Sequence, residues 1–209
     1  ADALTTGGGN VALGDRALSA EDTGNYSVAV GYRALQQQNN NDNNYNIAVG
    51  ADAGRSINSG IYNVVIGGLA GDALTSGTRN IAIGLNALGS EDTGSHNVAI
   101  GHNALKTADA GADAYNVAVG SSAGTAVTTG QFNTLIGGLV GDSLTSGAHN
   151  VAVGYNALAS EDAHGRNIAI GTNALTTLDA GADAYNVAIG HNAGLSVTTG
   201  ADNTILGGL

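Results

Sequence analysis

The chain has 209 residues, of which 34 are Gly, and it contains no Pro, Cys, Met or Trp. The lack of Cys excludes disulfides, thiolate metal sites and a cysteine nucleophile, and a net charge of −11 at pH 7 disfavours nucleic acid and anionic membranes as partners. The apolar residues are almost all small aliphatics, which predicts a narrow and regular interior, unlike the irregular core of a globular enzyme. No apolar run approaches the roughly 20 residues that span a bilayer.

A short apolar block followed by Gly recurs twelve times along the chain. The blocks begin at Val11, Val28, Ile47, Val64, Ile81, Val98, Val117, Thr134, Val151, Ile168, Val187 and Thr204. Their spacing is 17 residues, or 19 at every fourth interval, so that a longer unit of 70 residues repeats three times. We therefore predict one repeat domain, 1–209, made of units 1–70, 71–140 and 141–209. The units are in register and no atypical terminal repeat is visible, so we expect a window of a longer array.

Each block predicts a short β-strand. Its first and third residues are Val, Ile or Leu in nearly every repeat, and its middle residue is Ala in nine of twelve. A second apolar pair, such as Ala17-Leu18, predicts a return strand in the same coil. The fold class is therefore all-β, a parallel β-solenoid of about twelve coils of 17–19 residues. Both strand faces are apolar, and because one narrow coil cannot cover both, we expect partner chains to bury the Ala face.

Two columns flank the strand. Gly follows the strand in all twelve blocks, which predicts a positive φ or a close backbone approach there. Asn precedes the strand in all blocks except that of Ser27, and stacked Asn side chains can hydrogen-bond from coil to coil. This predicted structural ladder comprises Asn10, Asn46, Asn63, Asn80, Asn97, Asn116, Asn133, Asn150, Asn167, Asn186 and Asn203.

The strings Asn97-Val-Ala-Ile-Gly101 and Asn133-Thr-Leu-Ile-Gly137 resemble the head repeats of YadA-like trimeric autotransporter adhesins. They are equally similar to repeats in tail fibres of marine bacteriophages and in surface proteins of marine bacteria. The resemblance covers essentially the whole chain. It implies a left-handed parallel β-roll, a parallel homotrimer around a shared axis, and an extracellular location on a bacterial cell or a virion. It also implies attachment to a cell-surface glycan or protein receptor. The coils are longer than the adhesin head repeat, and we expect the extra residues in surface turns.

Chemical sites are few. Acidic pairs recur in every unit and are weak candidates for a structural calcium ion, but we expect a solvated acidic turn instead. These pairs are Glu21 with Asp22, Glu91 with Asp92, and Glu161 with Asp162. No other cofactor is expected. The five His do not recur at equivalent positions, so we expect them on the solvated surface, and no repeated catalytic constellation indicates an enzyme.

The sequence favours a structural and adhesive role. The long, variable turns 36–44, 106–114 and 176–184 are the predicted receptor contacts. Tyr45, Tyr115 and Tyr185 are expected to pack over the longer coils or to contact glycans or proteins. The Thr pairs do not form a continuous array, which disfavours ice binding. Two alternatives stay open, namely a passive spacer and a filament that assembles end to end.

Overall fold

The computed structural model describes residues 3–111 and 113–208; position 112, in the loop 106–114, and Leu209, at the end of the third unit, lie outside them. The described residues form twelve strands of three residues each. They are β1 (Val11–Leu13), β2 (Val28–Val30), β3 (Ile47–Val49), β4 (Val64–Ile66), β5 (Ile81–Ile83), β6 (Val98–Ile100), β7 (Val117–Val119), β8 (Thr134–Ile136), β9 (Val151–Val153), β10 (Ile168–Ile170), β11 (Val187–Ile189) and β12 (Thr204–Leu206). A membrane-crossing helix is not found among these residues.

The strands form one sheet in which each strand pairs only with its neighbours in the chain. Every pair is parallel, and equivalent residues face each other, as Ala12 faces Ala29 and Ile83 faces Ile100. Successive strands are therefore one coil apart, which confirms the predicted all-β parallel β-solenoid. At about 4.8 Å per strand, the sheet is about 55 Å long.

The Gly that ends each strand meets both requirements expected of it. Its φ lies between 117 and 141° in all twelve coils. At Gly50, an added Cβ atom would lie 2.6 Å from the carbonyl oxygen of Gly67 in the next coil, too close for any side chain. Only Gly can therefore end a strand and allow the next coil to stack directly on it.

The Ala face of the sheet lines the interior of the coil, so the expectation that partner chains bury it is wrong. Ala29, Ala82 and Ala152 are fully buried within the single chain. The larger first and third residues of each strand, such as Ile136 and Ile189, point outward instead. The cause is the narrow width of the coil. Where a buried Leu such as Leu88 lies on the opposite wall, only a small residue fits beneath the strand, whereas β4 and β8 face Gly71 and Gly141 and have Val65 and Leu135 there.

The opposite wall is a series of turns and not the predicted return strand. Ala17 and Leu18 are fully buried, but Arg16 and Leu18 have φ values of 58 and 51°, in the left-handed region that interrupts a strand. Coil-to-coil hydrogen bonds persist, because the backbone N–H of Leu18 donates to the carbonyl of Ala34 at 3.0 Å. The apolar pair therefore belongs to the core, but its backbone is folded into turns.

The Asn column lies inside the coil, just before the sheet begins. The Oδ1 atom of Asn63 accepts from the backbone N–H of Asn80 at 2.9 Å, and its Nδ2 donates to the carbonyl of Gly77 at 2.9 Å. The same pattern recurs at Asn116 and Asn133. Most of these Asn side chains thus pair with the backbone of the next coil and satisfy buried polar groups where the strand pairing stops. The Nδ2 atom of Asn97 is an exception, because it has no hydrogen-bond partner.

Candidate functional site

The outward side chains of the sheet form a continuous apolar stripe. We call the first and third residues of the twelve strands the outer face. Ile47, Ile136 and Ile189 on this face are 38–40% exposed. Scattered apolar residues are common on protein surfaces, but a stripe that follows the whole sheet is typical of an interaction surface.

A column of flat side chains borders the outer face on its N-terminal side, two residues before each strand from β2 to β11. We call it the ring ladder. Its members all have φ between 48 and 63°. They are Tyr26, Tyr45, Tyr62, Arg79, His96, Tyr115, Phe132, His149, Arg166 and Tyr185. Sequence reasoning found only the three Tyr that recur every 70 residues, although a planar side chain at this position in ten successive coils was a readable signal.

Members of the ring ladder stack along the rod. The ring centroids of Tyr26 and Tyr45 are 5.1 Å apart, and those of Phe132 and His149 are 5.0 Å apart, with nearly parallel planes. The guanidinium of Arg166 lies 5.6 Å from the ring centroid of Tyr185. The faces of the rings are therefore used within the chain, and the outer edges are what the surface presents. Tyr45, Tyr115 and Tyr185 are about half exposed.

The three long coils carry the predicted receptor loops, each held by buried residues at both ends. In the first unit, Gln38 and Asn44 are fully buried and residues 39–43 between them are mostly exposed. We call 39–43 and its equivalents 109–113 and 179–183 the loop tips. The tips repeat every four coils, which corresponds to a spacing of about 19 Å along the rod.

The third tip is hydrogen-bonded to the ring-ladder residue of the preceding coil. Arg166 Nε donates to Asp183 Oδ2 at 2.6 Å, and this bond holds the pKa of the Asp183 carboxyl below its usual range. In the second unit, His96 Nδ1 lies 3.5 Å from Asp113 Oδ1. At the equivalent position, the first unit has the neutral residue Asn43. The facing residues of tip and ladder thus change together from unit to unit, from Asn43 with Tyr26 to Asp113 with His96 and Asp183 with Arg166.

The glutamates of the acidic pairs are buried, so the expected solvated turn is wrong for them. Glu21, Glu91 and Glu161 have no exposed surface. The Oε1 of Glu21 accepts from the backbone N–H of Gly24 at 2.7 Å. Its Oε2 accepts from Gln38 Nε2 and from Asn44 Nδ2, each at 2.9 Å. Sequence reasoning could not find these partners, because they belong to the neighbouring coil.

In the second and third units, small or apolar residues replace those amides. Burial raises the pKa of Glu91, and Asp109 and Asp92 raise it further against the opposing hydrogen bonds from the backbone of Gly94 and Ala110. Two groups bring three possible ligand atoms within 4.8 Å of one another, and such oxygen-rich groups suit calcium. They are Glu91 with Asp92 and Asp109, and Glu161 with Asp162 and His164. These groups stay weak candidates for calcium, as the sequence indicated.

Fold and surface together define the chain as a β-solenoid repeat protein with an apolar outer face. Comparison with models of known protein families, with curated protein sequences and with solved structures found no match. The geometry of the outer face, the ring ladder and the loop tips therefore carries the functional argument.

Proposed function

We propose that this chain is a segment of an extracellular attachment fibre, either an adhesin head or stalk or a phage tail fibre. In this proposal, three parallel copies, each a left-handed β-roll, form a rod on a bacterial cell or virion surface. The observation that carries the proposal is the outer face, an apolar stripe along all twelve strands. The adhesin-like repeats described above support the same architecture.

Assembly through the outer face follows from the hydrophobic effect. Ten strands turn two branched aliphatic side chains outward, and β8 and β12 turn one aliphatic side chain and one Thr. Burying apolar surface contributes about 25 cal/mol per Å². Because every copy carries the same stripe, parallel copies that turn it toward a common axis remove it from water together. The polar turns on the other side of each coil then form the outside of the rod.

Attachment is assigned to the loop tips. The first tip consists of polar residues, and the other two begin and end with an exposed Asp. The tips recur at intervals of about 19 Å on each chain. Three chains multiply the number of tips, so that weak contacts with a glycan or protein receptor add up as avidity. The buried anchors at each end, such as Gln38 and Asn44, keep a tip in place while its sequence varies.

The oligomeric state is the first test. Light scattering at several concentrations is expected to give a mass near three times 20.4 kDa. A monomer would overturn the proposed assembly, since the outer face would then be stable in water by itself. Growth of the mass without limit would favour the filament, in which the edge strands β1 and β12 pair between copies.

Attachment is tested on the first tip. Replacing Asn41 and Asp42 by Ala is expected to weaken attachment to cells or to a glycan array, with no change in mass. The matched control replaces Asn58 and Ser59, exposed residues in the turn of a 17-residue coil, and is expected to leave attachment unchanged. If variants of all three tips attach like the parent, the chain is a passive spacer.

A further inference from the structure

The acidic turn of the third unit carries a His where the other two units have Gly. His164 is equivalent to Gly24 and Gly94 in the 70-residue repeat. The turn has little space for a side chain at this position, because a Cβ atom on Gly94 would lie 2.4 Å from Glu91 Cδ. His164 thus departs from the residue that suits the turn, and a function of its imidazole accounts for the departure.

The buried glutamate beside His164 has longer hydrogen bonds than its equivalents. In the first two units, a backbone N–H of the turn donates to Oε1 of the glutamate at 2.7 and 2.8 Å. The corresponding bond from His164 to Glu161 Oε1 is 3.2 Å long, and Glu161 Oε2 accepts from the backbone N–H of Ala180 at 3.2 Å. Both distances are at the long end of the usual range. A carboxylate offers about four lone-pair sites, so the fully buried Glu161 keeps acceptor capacity.

The imidazole of His164 faces this carboxylate without a hydrogen bond between the two side chains. Its Nδ1 atom lies 3.4 Å from Glu161 Oε1. Nδ1 is withdrawn from solvent and has no hydrogen-bond partner, although the side chain as a whole is 28% exposed. Buried polar atoms in native proteins almost always have a partner, which can be an ion. The unsatisfied nitrogen beside a carboxylate therefore indicates a bound cation.

The spacing of these atoms matches the spacing of ligands around zinc. An oxygen of Asp162 is a third possible ligand atom, and the three atoms lie within 4.8 Å of one another. Zinc binds His nitrogen and carboxylate oxygen at about 2.0–2.2 Å with tetrahedral geometry, so that two of its ligands lie about 3.4 Å apart. Nδ1 and Oε1 are separated by this distance. Asp162 is exposed, so water can reach the fourth position.

The nitrogen atom decides which metal the group suits. Calcium takes oxygen ligands, as the second-unit group offers, whereas imidazole suits zinc. We propose that Glu161, Asp162 and His164 bind one zinc ion in the third unit, with water as the fourth ligand. The ion also steadies the third loop tip, because Glu161 is hydrogen-bonded to Ala180 within that tip. The site lies within one chain, so it depends on neither the proposed trimer nor its receptor.

Calorimetric titration of the metal-free chain with zinc chloride tests the site. We expect about one zinc ion per chain. His164→Gly restores the residue of the other two units and is expected to weaken zinc binding at least about tenfold. Asp162→Asn is expected to weaken it as well. The matched control is His191→Ser, which replaces an exposed His by the residue of the second unit, Ser121, and is expected to leave zinc binding unchanged.

Nuclear magnetic resonance identifies the nitrogen ligand directly. The chain has five His, and zinc is expected to shift the imidazole signals of His164 at the lowest zinc concentration. No binding by the parent chain would overturn the inference. Equal zinc binding by the parent and His164→Gly would also overturn it, because zinc would then bind to other surface groups only.

Thermal unfolding separates a zinc ligand from a His that only pairs with Glu161. A ligand that binds the folded state stabilises it, so zinc is expected to raise the melting temperature of the parent and of His191→Ser. It is expected to leave that of His164→Gly unchanged. Without metal, His164→Gly is expected to melt close to the parent. A large loss of stability in the metal-free variant, with no zinc effect on the parent, would assign His164 to an ion pair and overturn the inference.

Discussion

Gln38 Nε2 donates to Glu21 Oε2 at 2.9 Å between two adjacent coils, and both side chains are fully buried. The same Nε2 atom donates to Ser27 Oγ at 2.9 Å. In the second unit, the equivalent of Gln38 is Ala108 and that of Ser27 is Asn97, whose buried Nδ2 atom has no hydrogen-bond partner. The same backbone therefore has a connected polar cluster in one unit and a less satisfied one in the next.

The hydrogen-bonded cluster of Glu21, Ser27 and Gln38 should also form in the second unit when the same residues are placed there. We expect Asn97→Ser and Ala108→Gln, made together in the second unit, to be more stable than the sum of the single changes by about 0.5–3 kcal/mol. Each substitution alone leaves a polar group unpaired or adds volume beside Asn97. A double-mutant cycle of urea unfolding measures this coupling. Strict additivity would show that the two positions do not interact.

Removing a buried charge should have opposite effects in the first two units. Glu91→Gln is expected to raise the urea midpoint at neutral pH, since burial disfavours the ionised carboxylate. Glu21→Gln places an amide N–H where Gln38 and Asn44 donate, and unsatisfied buried donors cost about 1–3 kcal/mol. Urea unfolding of both variants under identical conditions shows whether their midpoints shift in opposite directions. Equal shifts in the same direction would contradict the role given to Gln38 and Asn44.

The gain from Glu91→Gln should depend on pH. The folded-state pKa of Glu91 is raised, so the folded protein binds this proton more tightly than the unfolded chain. The penalty for the ionised group is therefore present at neutral pH and disappears as the pH falls through the folded pKa. Midpoints of parent and variant are expected to converge in acid. A difference between the two midpoints that does not change with pH would contradict the penalty assigned to the ionised Glu91.

Gly67 and Gly68 are neighbours in the chain, but they should differ greatly in how well they tolerate substitution by Ala. Gly67→Ala places a Cβ atom 2.6 Å from the carbonyl oxygen of Gly84, at a φ of 133°. Strain of this kind costs about 1–3 kcal/mol before the steric clash is added, so we expect a large loss of stability. Gly68→Ala meets only ordinary contacts and is expected to leave the thermal unfolding of the dilute chain nearly unchanged. Thermal unfolding followed by circular dichroism measures the stability of both variants.

Adjacent residues of β5 should separate folding from assembly. Ile83 points outward, and Ile83→Lys is expected to keep the far-ultraviolet circular dichroism spectrum while lowering the mass measured by light scattering. Ala82 is fully buried inside the coil, so Ala82→Lys is expected to prevent folding. Retention of the assembled mass by Ile83→Lys would contradict the role of the outer face.

Much of the fold could be predicted because each repeat is locally consistent. The spacing of 17 or 19 residues sets one strand per coil, and the invariant Gly after each strand requires both its φ and the close approach of the next coil. These features depend on neighbouring residues in the chain and on the coil directly above. Stacking of identical coils then leaves only the parallel, in-register sheet.

The orientation of the sheet and the buried glutamates needed the tertiary structure. Alternation along β5 provides two apolar faces, and it does not determine which one lines the coil. The opposite wall decides, because buried Leu side chains such as Leu88 leave room only for Ala82 beneath the strand. An acidic turn residue is normally solvated, but Glu21 is buried because Gln38 and Asn44 reach it from the next coil. The sequence by itself thus determined the coil, its repeat and its strands, whereas the space between the two walls and the contacts between coils determined which side chains are inside.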